Sequence, residues 1–288
     1  MSAPAAASGP GAGNGQGPGG GTAAVRTVLV TGAGRGIGEA TARRFADAGY
    51  LVGAYDLQPC AWAEGDDRFV TGALDVTDPA AWEAALAELT TRSGGALDVL
   101  VNNAGLLYGS PFMDASYEKD SALVDVNVKG VLYGCRAAFP YLRAASAPTV
   151  VNLCSASAIY GQAEMATYSA TKFAVRGITE ALDLEWAAHG IRVCSVWPLY
   201  VGTEMLSGVN TAGMRNMGVR LTEGDVAGEI LGLAEQTRRT PRGLLGRIHG
   251  TFGREVHRPV GAQATAMYLA SQVAPGRLTR LTNKRLTS

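Results

Sequence analysis

The chain has 288 residues, of which 47% are hydrophobic and 17% charged, with 38 glycines and 12 prolines. These proportions exclude a disordered polyampholyte, a collagen and a small disulfide-stapled domain, and the length suits one large domain or two small ones. The 25 Lys and Arg residues balance 25 Asp and Glu residues, so the net charge of zero argues against nucleic acid as the main partner.

The cysteines and the apolar segments favour a cytoplasmic protein. The four cysteines form neither a CxxC pair nor a cluster with histidine, which excludes the usual zinc spacings and suits a reducing compartment. No stretch of 18 uncharged apolar residues is present, so no membrane span is expected, and the N-terminus lacks a signal-peptide pattern. We therefore expect a cytoplasmic protein without a metal site.

Residues 1–24 form a low-complexity segment of Gly, Ala and Pro that carries no charged side chain. Such a segment cannot offset its ordering entropy through burial of apolar groups. We predict a disordered tail here, and the alternative is a docking or targeting arm.

From residue 25 onward, short apolar runs alternate with helical patterns. The runs are continuous rather than alternating, as in strands of a parallel sheet that is covered on both faces. Repeated strand–helix units predict a single α/β domain over residues 25–237, with a doubly wound, Rossmann-type parallel sheet and helices on both faces. Strands are predicted at 25–31, 51–56, 68–76, 98–105, 149–155 and 191–198, and helices at 36–50, 77–92, 121–145 and 166–190.

Residues 238–288 form a basic C-terminal extension with ten Lys or Arg residues and one acid, Glu255. We expect the extension to be partly helical, with a helix around Ala262–Val273, and to present a solvated or subunit-facing basic surface. The alternative is an amphipathic anchor on anionic lipid. In that anchor, the apolar residues Leu278, Leu281 and Leu286 would face the basic residues Arg277, Arg280, Lys284 and Arg285.

A glycine-rich turn follows the first predicted strand. Gly32, Gly34, Gly36 and Gly38 stand between that strand and a predicted helix. Glycines at such a turn let the backbone approach a pyrophosphate, and the helix N-terminus offers free N–H groups. Arg35 lies beside the turn, within reach of a phosphate. The turn therefore predicts a dinucleotide site.

Asp56 ends the second predicted strand, 24 residues after Gly32. A carboxylate at this position can accept hydrogen bonds from ribose hydroxyls and would repel a 2′-phosphate. We therefore expect NAD as the cofactor, with NADP less favoured.

Tyr168 and Lys172 are four residues apart in a predicted helix, so their side chains share one face. A free phenol has a pKa of about 10, which makes it a poor base at neutral pH. A neighbouring ammonium group favours the phenolate and lowers that pKa. The pair can then act as a general base for alcohol oxidation or as a general acid for ketone reduction.

Further motifs surround this pair in a fixed order. They are Asp75-Val76, Asn102-Asn103-Ala104-Gly105, Asn127, Ser155 at 13 residues before Tyr168, and Pro198 with Thr203. Together with the glycine turn, this set resembles the short-chain dehydrogenase/reductase family over about residues 25–235. Two features depart from the family pattern: Leu199 stands where the family usually has glycine, and the family's frequent Val-Asp-Gly-Gly ending is missing.

The resemblance implies a role for each matched residue. Tyr168 exchanges a proton with the substrate oxygen, and Lys172 holds the nicotinamide ribose and lowers the pKa of Tyr168. Ser155 donates a hydrogen bond to the substrate oxygen, and Asn127 fixes a helix irregularity and a water molecule. The residues implied to hold the nicotinamide cofactor are Gly32, Arg35, Gly36, Ile37, Gly38, Asp56, Asp75, Val76, Asn103, Ala104, Gly105, Tyr168, Lys172, Pro198 and Thr203.

The implied function is an NAD(P)-dependent interconversion of a secondary alcohol and a ketone by a homodimer or homotetramer. The alternatives are an NADPH-dependent ketoreductase, a catalytically inactive NAD(H)-binding regulatory protein, and an epimerase or dehydratase relative. A small apolar substrate is expected, because the residues predicted around it are mostly apolar. These are Leu106, Leu107, Tyr108, Ile159, Tyr160, Met165, Leu199, Tyr200, Met205 and Leu206.

Overall fold

The computed structural model describes residues 25–206, 208–239 and 255–287. The predicted N-terminal tail and residues 240–254 of the basic extension lie outside the described residues. The predicted segment from residue 25 onward forms a parallel sheet with helices on both faces, so the predicted fold class is confirmed.

Seven parallel strands form the sheet in the order β3-β2-β1-β4-β5-β6-β7. The strand order reverses between β1 and β4, which is the point where ligands bind in doubly wound sheets. The strands are β1 Thr27–Thr31, β2 Leu51–Asp56, β3 Phe69–Ala73, β4 Val99–Asn102, β5 Thr149–Leu153, β6 Arg192–Pro198 and β7 His257–Val260.

The helices cover both faces of this sheet. They are α1 Gly36–Asp47, α2 Pro79–Thr91, α3 Tyr117–Val124, α4 Gly130–Ala144, α5 Ala166–Trp186, α6 Ala212–Met217, α7 Glu223–Arg239, α8 Gly261–Val273 and α9 Gly276–Thr287. In the part of the chain that the structure describes, none of them is long and apolar enough to cross a membrane.

Both faces of the sheet are buried in apolar clusters. Leu29 on β1 faces one cluster together with Trp82 of α2. Its neighbours Val28 and Val30 face the opposite cluster together with Phe45 of α1. Because successive side chains of a strand point to opposite faces, a sheet covered on both sides requires the continuous apolar runs seen in the sequence.

The helix predicted over residues 121–145 is not continuous. It begins earlier, at Tyr117, and a π-helical segment at Asp125–Lys129 separates α3 from α4. A π segment adds one residue to a helical turn and re-aims the side chains on it, often at a functional site. Asn127 lies in the middle of this segment.

The seventh strand lies in the basic extension, and the sequence patterns did not predict it. His257–Val260 has no apolar run, and its proline is tolerated because β7 is an edge strand. The ring of His257 lies 2.9 Å from Ser195 Oγ on β6 and 2.8 Å from the carboxylate of Glu180 on α5. The helix expected around Ala262–Val273 is α8, and α9 packs on α6.

Candidate active site

The glycine turn, residues 32–38, lies at the reversal of strand order. Gly32 and Gly36 have φ angles of +64° and +60°, which favour glycine. A Cβ atom on Gly38 would collide with the Gly32 carbonyl oxygen, so only glycine lets α1 start this close to the turn. Asn103 stabilises the turn, since its Nδ2 donates to the carbonyl oxygens of Thr31, at 2.8 Å, and Gly32, at 3.1 Å.

Asp56 lies beside the glycine turn at the end of β2. Its carboxylate accepts hydrogen bonds from the backbone N–H groups of Gly34, at 2.8 Å, and Leu57, at 2.7 Å. The structure therefore brings together two elements of the predicted dinucleotide site, the turn and the acidic strand end. Asp75 is exposed and accepts hydrogen bonds from Thr77, while Val76 is buried beside the start of α4.

The loop after β6 folds over the glycine turn. Thr203 Cγ2 lies 3.5 Å from the position that a Cβ atom on Gly36 would occupy. Glu204 on the same loop forms a 2.8 Å ion pair with Arg35. Arg35, a predicted phosphate contact, is thus already bound to a carboxylate.

Asn127 connects the loop after β4 to α5. It is 1% exposed; its Oδ1 accepts from the Leu106 backbone N–H at 2.7 Å, and its Nδ2 donates to the Leu106 carbonyl at 2.9 Å. The same Nδ2 lies 3.2 Å from the hydroxyl of Thr171, the neighbour of Lys172. Asn127 therefore fixes both walls of the cleft in which Tyr168 and Lys172 lie.

The first turns of α5 place Tyr168 and Lys172 on one face, next to Ser155 at the end of β5. Lys172 Nζ lies 5.6 Å from the centre of the Tyr168 ring and donates to the Leu153 carbonyl oxygen at 2.9 Å. Ser155 is 8% exposed, its Oγ donates to Ser157 Oγ at 3.1 Å, and it lines the inner cavity together with Tyr168 and Lys172. The three side chains named by the sequence are thus neighbours in the fold.

Burial is the largest influence on the pKa values of Tyr168 and Lys172. It raises the pKa of Tyr168 above its usual value, and the neighbouring Ser155 hydroxyl acts in the opposite direction. Burial also lowers the pKa of Lys172, because desolvation disfavours the ammonium form. The net shift of the Tyr168 pKa is therefore upward, opposite to the lowering that the sequence predicts, because burial is the largest cause.

Two cavities meet at Tyr168. The inner cavity has a volume of about 70 Å³ and lies against the cofactor motifs. The outer cavity has a volume of about 240 Å³ and lies between the loops after β4 and β6 and the start of α5. Tyr168 and Leu107 line both, so the phenol stands at the junction. Eight residues of the expected cofactor and catalytic set line the inner cavity: Ile37, Asn103, Gly105, Ser155, Tyr168, Lys172, Pro198 and Thr203. The other nine do not line it: Gly32, Arg35, Gly36, Gly38, Asp56, Asp75, Val76, Ala104 and Asn127.

The lining of the outer cavity is more polar than the sequence indicated. Of the apolar residues expected around the substrate, Leu107, Tyr108 and Met165 line it, and Leu106, Leu199, Met205 and Leu206 line the inner cavity. Ile159, Tyr160 and Tyr200 line neither of the two. The polar residues that sequence reasoning missed are Ser110, Asp114, Lys119, Asp120, Glu164 and Thr167. Loops at the carboxyl ends of parallel strands line such clefts, so the position of 110–120 after β4 was the available signal.

The comparisons with known proteins identify the family of this chain. A family model described as short chain dehydrogenase matches residues 26–213. The 3-alpha-(or 20-beta)-hydroxysteroid dehydrogenase of Mycobacterium tuberculosis is 37% identical over 184 residues, which cover 62% of this chain and 70% of that protein. A 2,5-dichloro-2,5-cyclohexadiene-1,4-diol dehydrogenase of Sphingobium indicum is 32% identical over 258 residues, covering 86% of this chain and 90% of that one.

Solved structures with a similar fold contain NADH or NADP. The 3-ketoacyl-(acyl-carrier-protein) reductase from Brucella melitensis, complexed with NADH, has a TM-score of 0.70 and 28% identity, covering 82% of this chain and 96% of that one. The gluconate 5-dehydrogenase from Burkholderia cenocepacia, in complex with NADP and tartrate, has a TM-score of 0.66 and 28% identity, covering 74% and 90%. The chain therefore belongs to the short-chain dehydrogenase/reductase family of oxidoreductases.

Proposed function

We propose that the protein interconverts a secondary alcohol and a ketone with NAD as the cofactor and Tyr168 as the proton donor and acceptor. The observation that carries this proposal is the position of Tyr168. Tyr168 lines both the inner and the outer cavity, and Ser155 and Lys172 line the inner cavity beside it. The Tyr168 side chain can therefore contact both a cofactor in the inner cavity and a substrate in the outer cavity.

The residues around the inner cavity fit a nicotinamide cofactor. Gly32 and Gly38 let the turn pack closely, because a Cβ atom on either would collide with backbone. A turn of this kind at a helix N-terminus lets a pyrophosphate approach the backbone N–H groups. Asp56 supports NAD over NADP, because a carboxylate beside the turn repels a 2′-phosphate. Asn103, Lys172 and Thr203 line the inner cavity and would hold the nicotinamide end. When bound, the cofactor donates or accepts the hydride.

Tyr168 transfers the proton, with Ser155 and Lys172 beside it. In ketone reduction, the Tyr168 hydroxyl donates its proton to the substrate oxygen while Ser155 donates a hydrogen bond to the same atom. The phenolate that remains is stabilised by the nearby ammonium of Lys172. In alcohol oxidation, the phenolate accepts the proton of the substrate hydroxyl. Asn127 keeps α5 and the loop after β4 in place during both directions.

The outer cavity supports a substrate of mixed polarity. Its volume of about 240 Å³ suits a small molecule, and its apolar wall carries interspersed carboxylates and one lysine. We therefore propose a small alcohol or ketone with an apolar body and a polar substituent.

The homodimer or homotetramer implied by the family remains a prediction, which light scattering tests. The lipid-anchor alternative for the C-terminal residues also remains a prediction, which vesicle co-sedimentation tests. The side chains of Leu278 and Leu286 lie outside the described part of the chain.

The test is a panel of secondary alcohols and ketones supplied with NAD(H) and NADP(H), followed through the absorbance of the reduced cofactor. Tyr168→Phe is expected to lower turnover by roughly 10²–10⁴-fold while NADH binding persists. Tyr117→Phe is the matched control, because Tyr117 is 92% exposed. Normal turnover by Tyr168→Phe would overturn the assigned mechanism. Tight NADH binding by the unmodified protein without turnover of any panel member would instead favour the regulatory alternative.

A further inference from the structure

Glu164 has an unusual backbone conformation beside the outer cavity. Its φ angle is +63°, and it is the one residue other than glycine with a positive φ among the described residues. A side chain in this region is disfavoured, so the conformation persists only where the surrounding contacts require it. The position of Glu164, four residues before Tyr168, indicates that those contacts concern the substrate side of the site.

Two hydrogen bonds of Glu164 reach two different loops. Its carbonyl oxygen accepts from the backbone N–H of Ser110, in the loop after β4, at 2.8 Å. Its carboxylate accepts from the backbone N–H of Ala212, at the start of α6, at 2.9 Å. Because Glu164 itself lies just before α5, one residue joins the three segments that surround the outer cavity.

The joined segments are in close contact. A Cβ atom on Gly109 would lie 2.9 Å from Thr211 Cγ2 and 3.1 Å from Val209 Cγ1. Thr211 is 2% exposed and Val209 is 7% exposed, so the segment is folded inward at this point. Gly208 and Val209 line the outer cavity, which makes this segment one of its walls.

The far end of the same wall is held independently. The side chain of Gln263 on α8 donates to the carbonyl oxygen of Met217, the last residue of α6, at 3.3 Å. The C-terminal helix α9 also packs on α6. At the near end, the Ala212 N–H donates to the carboxylate of Glu164 at 2.9 Å.

We propose that Glu164 is a positioning residue that fixes segment 208–217 as the wall of the outer cavity and so sets which substrates fit beside Tyr168. The left-handed backbone lets the carbonyl and the carboxylate of one residue reach opposite loops. The effect on substrates rests on the proposed function, whereas the effect on the wall does not.

The direct test is amide hydrogen exchange of the full chain, read by mass spectrometry over segment 208–217. Glu164→Ala is expected to raise exchange in this segment by roughly 10-fold or more, since a charge-assisted hydrogen bond is lost. Glu164→Gln retains a carbonyl acceptor and should restore most of the protection. Glu185→Ala, at an exposed position near the end of α5, is the matched control and should leave the segment unchanged.

Two further variants separate the carboxylate from the backbone. Glu164→Gly permits the positive φ but removes the carboxylate, so the segment should exchange as fast as in Glu164→Ala. Ala212→Pro removes the N–H donor at the first helical position, where proline is tolerated, and should reproduce the Glu164→Ala result. Combining Ala212→Pro with Glu164→Ala should add little further exchange. Protection in Glu164→Gly equal to that of the unmodified protein would overturn the proposal.

The kinetic readout addresses substrate selection. With a ketone that the enzyme reduces, Glu164→Ala should raise KM by roughly 10-fold while kcat and the Kd for NADH change little. A fall in kcat with constant KM would contradict a positioning role at the cavity wall. If the protein turns over no substrate, the exchange experiment still decides whether Glu164 holds the wall, so the two proposals fail separately.

Discussion

Arg35 on the glycine turn and Glu204 on the loop after β6 form an ion pair at 2.8 Å, with both side chains about three-quarters exposed at 77% and 74%. The guanidinium next to the expected phosphate site is therefore already neutralised by a carboxylate. Together with Asp56, this places two carboxylates around the turn. Under the proposal that NAD is the cofactor, we expect both carboxylates to disfavour an additional phosphate group.

Removal of the Glu204 charge should release Arg35 for phosphate binding. Glu204→Gln is expected to tighten NADPH binding by roughly 2–5-fold and NADH binding by less, because an exposed ion pair contributes little energy. Titration of cofactor fluorescence at low and high salt measures both Kd values. The gain should vanish at high salt and in the double variant with Arg35→Ala. Equal Kd values for Glu204→Gln and the unmodified protein at low salt would contradict this role of the pair.

Asp56 should determine the choice between NAD and NADP. Asp56→Ala removes the carboxylate that would repel a 2′-phosphate and that would bind the ribose hydroxyls. The ratio of kcat/KM for NADPH to that for NADH is expected to rise by roughly 10-fold or more. Asp66→Ala is a suitable control, because Asp66 is another acid of the β2–β3 connection, bound to Arg68 instead of the turn. An unchanged ratio in Asp56→Ala would remove the main support for NAD.

The two reaction directions should respond oppositely to pH. Burial raises the pKa of Tyr168, so the phenol is protonated at neutral pH. In the proposed mechanism, reduction needs the protonated phenol, so its rate should be high at neutral pH and decline in the alkaline range. Oxidation uses the phenolate and should rise with pH through the same range.

We expect the charge of Lys172 to influence the pH at which that change occurs. Lys172→Met removes the positive charge near the phenol, so the pKa of Tyr168 should rise and the oxidation profile should move to higher pH. The measurement is kcat/KM for the alcohol as a function of pH, in the unmodified protein and the variant. A profile at the same pH in both proteins would show that the ammonium does not tune the phenol.

Local patterns in the sequence were sufficient for most of the fold and for the reacting groups. Tyr168 and Lys172 were predicted from their spacing on one helix face, and Ser155 was predicted from the resemblance to the family. Glu164 was not found, because its role depends on contacts with Ser110 and Ala212 that lie far away in the chain. The sign of the Tyr168 pKa shift was missed for a similar reason, since desolvation depends on the assembled surroundings of the phenol.

Gly38 and Gly177 differ in the space that their surroundings leave for a side chain. A Cβ atom on Gly38 would collide with the Gly32 carbonyl oxygen at the start of α1, whereas one on Gly177 meets no atom within 4 Å. Gly177 lies at an exposed position inside α5, so Gly177→Ala should stabilise the protein by about 0.5–1 kcal/mol through helix propensity.

Gly38→Ala should have the reverse effect, because the turn must open to admit the methyl group. We expect weaker NADH binding and a lower unfolding midpoint for this variant, measured by cofactor titration and denaturant unfolding. The same methyl group is added in both variants, so the difference between them reports the local geometry of the turn. If Gly38→Ala bound NADH as tightly as the unmodified protein, the turn would not be the close-fitting cradle that a pyrophosphate requires.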